Sequence, residues 1–505
     1  MRERITFVHP PGADIDPSSL KISHHELHGP SITAVREDRL TIALDELPPD
    51  LAKLLPRFHE LSLRWASPLA YHTVDPFTSR ISPGLHLSYA LASAEDTDAE
   101  QKVCDAFLAL GLRDCASSEA FTIHGEGKFK KPPGATLHEH LEPLSPLTSG
   151  AAKGLCVEND TACQARLEEF SGASVFDVTW DADAHAVRVG ALFPLSLQDI
   201  HVSSIVQRRT EVGLLSKDTP PSQEPHELGA SGLLTVLGEN KEPSGTMFAF
   251  PSRHRSSEAS FTSRFVEPTG LHPILQLNVT SNKALVADEH CAPFAYLTLP
   301  KTIFADRYQL EDELLLAANN LAASRYTSLP VDLEAPAYTT KAWGSSVLLE
   351  LAPPAGSDGD NEPVAWTAKV PLHLRYLRPS STGNADIEVP YPAVFWACES
   401  AAKADFANSP FDRTSVGYDA LFSSSTVFWH AEPEPVSGDN RLMSAISVPV
   451  LKEEAAAWIS VGTTVVVVLG FAWVFWALLM ALWRSGYGGR GQRKGEDSNE
   501  SKKRR

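Results

Sequence analysis

Trp458 to Trp483 reads WISVGTTVVVVLGFAWVFWALLMALW, 26 residues without one charged side chain. A helix needs about 20 apolar residues to cross a hydrocarbon core of roughly 30 Å. Within such a helix every backbone group is bonded internally, and the hydroxyls of Ser460, Thr463 and Thr464 can bond back to helix carbonyls. Trp458 and Trp483 bracket the run, where indole rings suit the two interfaces. The span is assigned to residues 455–483. Lys452, Glu453 and Glu454 precede it, whereas residues 484–505 carry eight Lys or Arg against three acids. Because positive charge stays on the cytosolic side, the tail is expected to be cytosolic and everything before the span to lie on the opposite side.

The tail ends in Lys502, Lys503, Arg504 and Arg505. Lysines at the third and fourth positions from the end resemble the dilysine retrieval signal of membrane proteins of the endoplasmic reticulum. Met1 to Leu20 shows neither an apolar core nor a small-residue cleavage site, so no cleaved signal peptide is expected. The expected topology is single-pass, in the endoplasmic reticulum membrane, with the N-terminus lumenal and the C-terminus cytosolic.

The 505 residues have a formal net charge of −19 and include 37 prolines. The acidic balance excludes a nucleic-acid partner, which needs a basic surface. Turn-bounded alternating runs favour β structure. Six cysteines suit an oxidising lumen, and their spacing alone leaves the pairing open. Cys104 with Cys115 and Cys156 with Cys163 are the nearest pairs. Glycosylation sequons at Asn159 and Asn278 precede the span; a third at Asn499 falls in the tail and should stay unmodified.

Residues 1–205 read as an N-terminal α+β or β-rich lumenal domain. Ile5–His9, Leu40–Leu44, Leu61–Trp65, Val175–Trp180 and Ala186–Phe193 have strand patterns, and Asp96–Leu112 that of an amphipathic helix. Residues 206–260 read as a flexible linker or long loop, from the Pro/Ser-rich stretches 219–225 and 251–257. Residues 261–450 read as a second, sandwich-like β domain with strands at Ile274–Val279, Ala295–Leu299, Ser346–Leu351, Ala365–Tyr376 and Ile387–Ala397. The fold expected is therefore mainly β, with a few helices and one C-terminal transmembrane helix. Phe77-Thr78-Ser79-Arg80 followed by Gly84-Leu85-His86 is echoed by Phe261-Thr262-Ser263-Arg264 and Gly270-Leu271-His272, either as tandem related domains or by coincidence.

Three Asp-x-Asp pairs, Asp14/Asp16, Asp181/Asp183 and Asp358/Asp360, have the spacing that holds the divalent metal of a sugar nucleotide. All lie in polar, turn-like stretches, and 63 acidic residues make chance matches common. They are read as solvated turns. Histidines cluster at His24, His25 and His28 and at His138 and His140 without a zinc signature. No nucleophile elbow, phosphate loop or metalloprotease helix occurs. No catalytic residue, metal or cofactor is expected.

Five segments come in a specific order: Pro268–Pro273 (PTGLHP), Leu299-Pro300 with Ile303–Leu310 (IFADRYQL), Val331–Pro336 (VDLEAP), Val370–Leu377 (VPLHLRYL) and Val389–Cys398 (VPYPAVFWAC), followed by Phe411-Asp412-Arg413. This set closely resembles the PIG-X family, including its longer fungal members, the protease-B-nonderepressible proteins. The resemblance is strong over about residues 261–400 and continues through the span. It implies a non-catalytic subunit of the first mannosyltransferase of glycosylphosphatidylinositol (GPI) assembly, with a multi-spanning catalytic partner, and a role in folding other lumenal proteins. Two other function classes remain: a lipid-linked-sugar glycosyltransferase in its own right, and a β-rich cell-surface receptor or adhesion ectodomain.

Within the family-like core, Cys291 and Cys398 are expected to bond to each other, the alternative being two buried thiols. Leu372, Leu374 and Tyr376 would share one strand face, with His373 and Arg375 on the other. His373, Arg375, Tyr376 and Trp396 are candidates for a partner-facing surface, since exposed aromatic and Arg side chains are favoured anchors.

Overall fold

Alternating apolar residues fold most of this chain into strands, seen in a computed structural model. It describes residues 2–485 except 14, 94–95, 110–114, 116, 124–133, 156–160, 205–208, 222, 225, 268–269, 284–289, 330–331, 355–362, 400–405, 407–408, 414–415 and 437. In chain order the first half carries β1 (Arg2–His9), β2 (Lys21–Ile22), β3 (Glu26–Ala43), β4 (Phe58–Ala66), β5 (Gly84–Leu91), β6 (Thr122–Ile123), β7 (Ala135–Glu139), β8 (Val175–Asp181), β9 (Ala186–Ser203), β10 (Arg209–Asp218), β11 (Glu227–Val236) and β12 (Ser244–Pro251). These form one sheet in the order β12-β11-β10-β1-β3-β9-β8-β4-β5-β7-β6, with β2 beside β3. Short helices α1 (Pro49–Leu54), α2 (Thr97–Ala109), α3 (Ser145–Leu155) and α4 (Thr161–Phe170) lie between the strands.

The second half carries β13 (His254–Phe265), β14 (Ile274–Val279), β15 (His290–Pro300), β16 (Ile303–Phe304), β17 (Leu321–Thr327), β18 (Gly344–Leu351), β19 (Trp366–Pro371), β20 (His373–Leu374), β21 (Asn384–Pro390), β22 (Ala393–Glu399), β23 (Thr426–Pro433) and β24 (Met443–Pro449), with helix α5 (Glu313–Ala318) before β17. Eight of them form a sheet in the order β17-β18-β15-β22-β23-β13-β14-β19, while β16 pairs β20 and β21 pairs β24. The sheet curls until its edges approach: Lys369 N–H on β19 donates to Asn319 O just before β17, at 3.0 Å.

The stretch expected to be a linker holds β10, β11, β12 and the start of β13 instead. β10 pairs in parallel with β1, placing Val212 opposite Ile5 and Leu214 opposite Phe7. The Pro-rich loop after β10 is itself packed: a Cβ on Gly229 would lie 2.1 Å from Pro220 Cδ, so only glycine admits the loop against β11.

The two sheets belong to one compact unit, residues 1–377 with 386–448. Phe411, from the family-like half, packs edge-on against Phe77 and Phe250. Arg413 pairs with Asp177 at 2.9 Å, Arg80 with Glu432 at 2.8 Å, and Asp75 accepts from Ser256 N–H at 3.0 Å. The two echoes are not equivalent pieces of structure: Phe77–Arg80 is irregular, whereas Phe261–Arg264 lies in β13. The expected strand Ile387–Ala397 divides into β21 and β22 at Pro390-Tyr391-Pro392, where proline removes two ladder donors.

Three buried histidines make the first unit acid-sensitive. His254 Nδ1 and His430 Nε2 stand 3.0 Å apart, and His138 Nε2 meets the Pro83 carbonyl at 3.0 Å. Burial, reinforced by the neighbouring imidazoles, holds His254 and His138 well below the usual histidine range, and burial with Arg80 nearby takes His430 down to about 3. The unfolded chain therefore binds these protons near pH 6.5 and the folded chain does not. Stability falls as pH drops below about 6.5, by up to about 1.4 kcal/mol per pH unit per histidine, until the folded groups titrate. His86, which burial takes down to about 4, adds to this effect, while Asp412, which burial pushes up to about 6, and Asp38, which burial also raises, act in the opposite sense. The urea midpoint of the detergent-solubilised protein is expected to be clearly lower at pH 5 than at pH 7.5; an unchanged midpoint contradicts the assignment.

The second unit comprises residues 378–385 and 449–505. Within it Val450 N–H donates to Gly383 O at 2.9 Å and Ser380 N–H to Leu451 O at 3.0 Å. Helix α6 (Glu453–Arg484) has 32 residues, about 48 Å at ~1.5 Å per residue. It is long and apolar enough to cross a membrane, and none of its apolar window is buried. Thr464 Oγ1 donates back to Ser460 O at 2.8 Å.

Candidate docking face and membrane helix

Four of the motif segments, those containing Leu271, Phe304, Asp332 and His373, converge although up to a hundred positions separate them. After β15 the chain turns into β16, which pairs with β20 so that Ile303 faces Leu374 and Phe304 faces His373. Two side chains pack against Phe304: the His373 ring stacks on it with centroids 5.4 Å apart, and the Arg375 guanidinium lies 4.5 Å from its centroid. Arg375 donates from Nη1 to Ala335 O at 2.9 Å and from its backbone to Thr302 O at 2.9 Å. Asp332 accepts from the N–H groups of Glu334 and Ala335 at 2.9 and 3.0 Å, and Asp306 from Tyr308 N–H at 2.9 Å. These acids hold turns.

Arg375 is thus engaged internally, while two tyrosines of these motifs, Tyr308 and Tyr376, stand at the surface. Tyr376 is 69% exposed and Tyr308 57%, with Leu271 and Tyr338 more than half exposed beside them. Leu374 N–H donates to Leu271 O, Ala337 N–H to Tyr376 O, and His373 Nε2 meets Gln309 Oε1 next to Tyr308, which ties the four positions to one region. Arg307 lies over the Tyr308 ring at 4.6 Å and donates to its hydroxyl at 2.6 Å. Exposed Tyr and Arg of this kind are what binding anchors are made of.

Two of the expected surface residues, Arg375 and Trp396, and the expected shared strand face need correction. Leu372, Leu374 and Tyr376 do not share a strand face: β20 ends at Leu374, Leu372 is fully buried and Tyr376 points to solvent. Arg375 is buried, its head group bonded to Ala335. Trp396 is 2% exposed and Phe395 0%, because β22 is a central strand between β15 and β23 and both its faces are covered. His373 is half-buried, with Nε2 against Gln309 Oε1 at 2.8 Å.

A cavity of about 520 Å³ lies beside this face, lined among others by Phe121, Lys301, Phe304, Asp332, Lys341 and Arg375. Lys341 pairs with Glu119 at 2.6 Å. Of the Asp-x-Asp pairs only Asp181/Asp183 lies wholly within the described residues. Asp181 accepts from Asp183 N–H at 2.9 Å and closes the β8–β9 turn, with His185 at φ 49°. His140, Glu142 and Glu388 have the spacing of a metal site, but the Arg441 guanidinium occupies both carboxylates, at 2.7 Å to Glu388.

Cys291 and Cys398 face each other across β15 and β22 and are joined by a disulfide, as are Cys104 and Cys115. Asn278 lies on β14, half-buried; its Nδ2 donates to Thr262 at 3.2 Å and its Oδ1 accepts from Thr367 at 2.9 Å. Asn159, Cys156, Asp14, Asp358, Asp360, Asn499, Lys502 and Lys503, and the side chain of Cys163, lie outside the described residues.

The family model described as PIG-X / PBN1 matches residues 268–479, which takes in the docking face and most of α6. Over nearly the whole chain the protein is 49% identical to Protein pbn1 of Neurospora crassa, covering 96% of this chain and 97% of that one. The chain belongs to the PIG-X/PBN1 family. Protein PBN1 of Gibberella zeae is likewise 49% identical over 96% of this chain, and Protein pbn1 of Emericella nidulans 34% identical over 96%. Membership therefore includes the N-terminal sheet that the family model leaves out.

His272, Gln309, Tyr308 and Tyr338 belong to this region of the family core, and the sequence did not single them out. Tyr308, Gln309 and His272 sit inside the family motifs, next to turn residues. That exposed, turn-borne position was the one signal available.

Proposed function

We propose that the chain is a non-catalytic, stabilising subunit of the endoplasmic reticulum mannosyltransferase that adds the first mannose to the GPI precursor. In this reading its large domain is lumenal, its basic tail is cytosolic with Lys502 and Lys503 as retrieval signal, and its partner is the multi-spanning catalytic subunit. The observation that carries it is the motif region itself, in which Arg375 and His373 are braced against their neighbours while Tyr308 and Tyr376 stand at the surface. That is the chemistry of adhesion to a protein and not of a reaction centre.

Helix α6 supports the same reading. Ala456, Ser460, Thr463, Val467, Gly470, Val474, Ala477 and Ala481 recur at alternating spacings of four and three. On a helix this forms a stripe of small and β-branched residues, the surface on which membrane helices approach closely. Trp473, Phe475, Trp476 and Leu479 fall away from it.

Affinity capture of the tagged chain from membranes, with mass spectrometry, tests the proposal. The expected result is one multi-spanning protein in stoichiometric amount, depleted at least severalfold by Gly470→Ile. The captured chain should carry a glycan that Asn278→Gln removes. Capture without any multi-spanning protein, or a glycan mapped to Asn499, contradicts the role or the orientation respectively.

A further inference from the structure

His272 and His373 are 101 positions apart in sequence, and their Nδ1 atoms meet at 3.0 Å with the rings nearly perpendicular, at 87°. His373 is fixed in place. Its ring stacks on Phe304, and its Nε2 lies 2.8 Å from Gln309 Oε1. An amide oxygen only accepts, so Nε2 carries the proton and Nδ1 presents its lone pair toward His272. Metal-binding histidines are held in this way: an acceptor on the far nitrogen sets the tautomer and frees the near one. Two bonds of about 2.0–2.1 Å to one ion span roughly 2.8–3.0 Å between nitrogens at the right angles of tetragonal sites and roughly 3.3–3.4 Å at the tetrahedral angle. The observed 3.0 Å meets the first and is within a few tenths of an ångström of the second.

We propose that His272 and His373 form a two-imidazole chelate for a divalent transition cation of the zinc, nickel and copper class. Imidazole selects these over calcium or magnesium, which take oxygen ligands. His272 is exposed, so the remaining coordination positions open outward, to water or to a ligand group from another molecule. The inference does not rest on the mannosyltransferase reading; it concerns the pair alone.

His28 and His201 are the pair for comparison. They face each other across β3 and β9 with Nδ1 atoms 3.1 Å apart, and His28 Nε2 lies 3.2 Å from Glu26 Oε2, but both rings are exposed and neither is stacked on a core aromatic, so only the braced pair is expected to hold an ion. The test is titration of the full-length, detergent-solubilised, EDTA-stripped protein with zinc chloride by isothermal calorimetry. One site per chain is expected, with affinity falling at least about tenfold in His272→Ala and about 10–100-fold in Gln309→Leu, and unchanged in His201→Ala. His272→Ala is decisive, because an exposed ring can be removed without opening the core. Absence of saturable zinc binding would show that the pair is only hydrogen-bonded and overturn the proposal. So would a site that survives His272→Ala, or one that disappears with His201→Ala.

Discussion

Trp396→Ala is expected to lower the free energy of unfolding by about 3–5 kcal/mol, the cost of emptying a large aromatic site in a packed core. Trp396 is 2% exposed, opposite Pro293 on one neighbouring strand and Trp429 on the other. Tyr376→Ala, at a side chain 69% exposed, should leave stability within about 0.5 kcal/mol of the parent while weakening capture of the partner. Urea unfolding of the two variants side by side, with partner capture as second readout, separates core from interface. Equal destabilisation by both would mean that Tyr376 is packing, and would remove the tyrosine face from the account.

Opening the Cys291–Cys398 bond is expected to cost about 4–5 kcal/mol in the loop-entropy account, since it closes a loop with a sequence separation of 107. The bond joins β15 to β22, central strands of the family-core sheet. Its loss therefore loosens the strand carrying Phe395 and Trp396. The Cys291→Ser/Cys398→Ser double variant avoids a stray thiol, and in non-reducing buffer it should lose about 2 kcal/mol more than Cys104→Ser/Cys115→Ser, whose loop has a separation of 11, and so have the lower urea midpoint. Comparable midpoints for the two double variants would contradict the argument.

What could be read from the sequence follows the range of the interactions involved. Helix α6 needs only its own 26 uncharged residues, so composition decides it. Strands with strict alternation, such as Ile274–Val279, also declare themselves locally, and Leu275, Leu277 and Val279 are all buried. Residues 206–260 misled because β11 and β12 are rich in Gly and Ser, residues that weaken a strand pattern. Those strands exist because β10 finds β1 some two hundred positions away, a pairing no local window contains. The same distance hid His272 from His373, and the seam that Phe411 and Arg413 build against the N-terminal sheet. Trp396 was misjudged because alternation gives opposite faces to neighbours but cannot say that both faces are covered.

The docking face was legible as motifs and not as geometry. Family resemblance pointed to His373, Arg375 and Tyr376 together, yet the fold separates them. Arg375 turns inward to Ala335, His373 is braced against Phe304 and Gln309, and Tyr376 alone stands out. The break lies at β20, which is two residues long because Pro371 ends the preceding strand, and alternation fails beyond Leu374.

The central claim is that this protein supports mannosyl transfer by holding a catalytic partner and not by catalysing it. The most direct measurement is rescue of cells depleted of the chain, following partner abundance and transfer of mannose to the GPI precursor in the same membranes. Depletion should lower both together, and Asp181→Asn/Asp183→Asn should restore both fully, since Asp181 closes a turn. A double variant that restores the partner to normal abundance yet leaves mannosyl transfer abolished would place the chemistry in this chain and contradict the account.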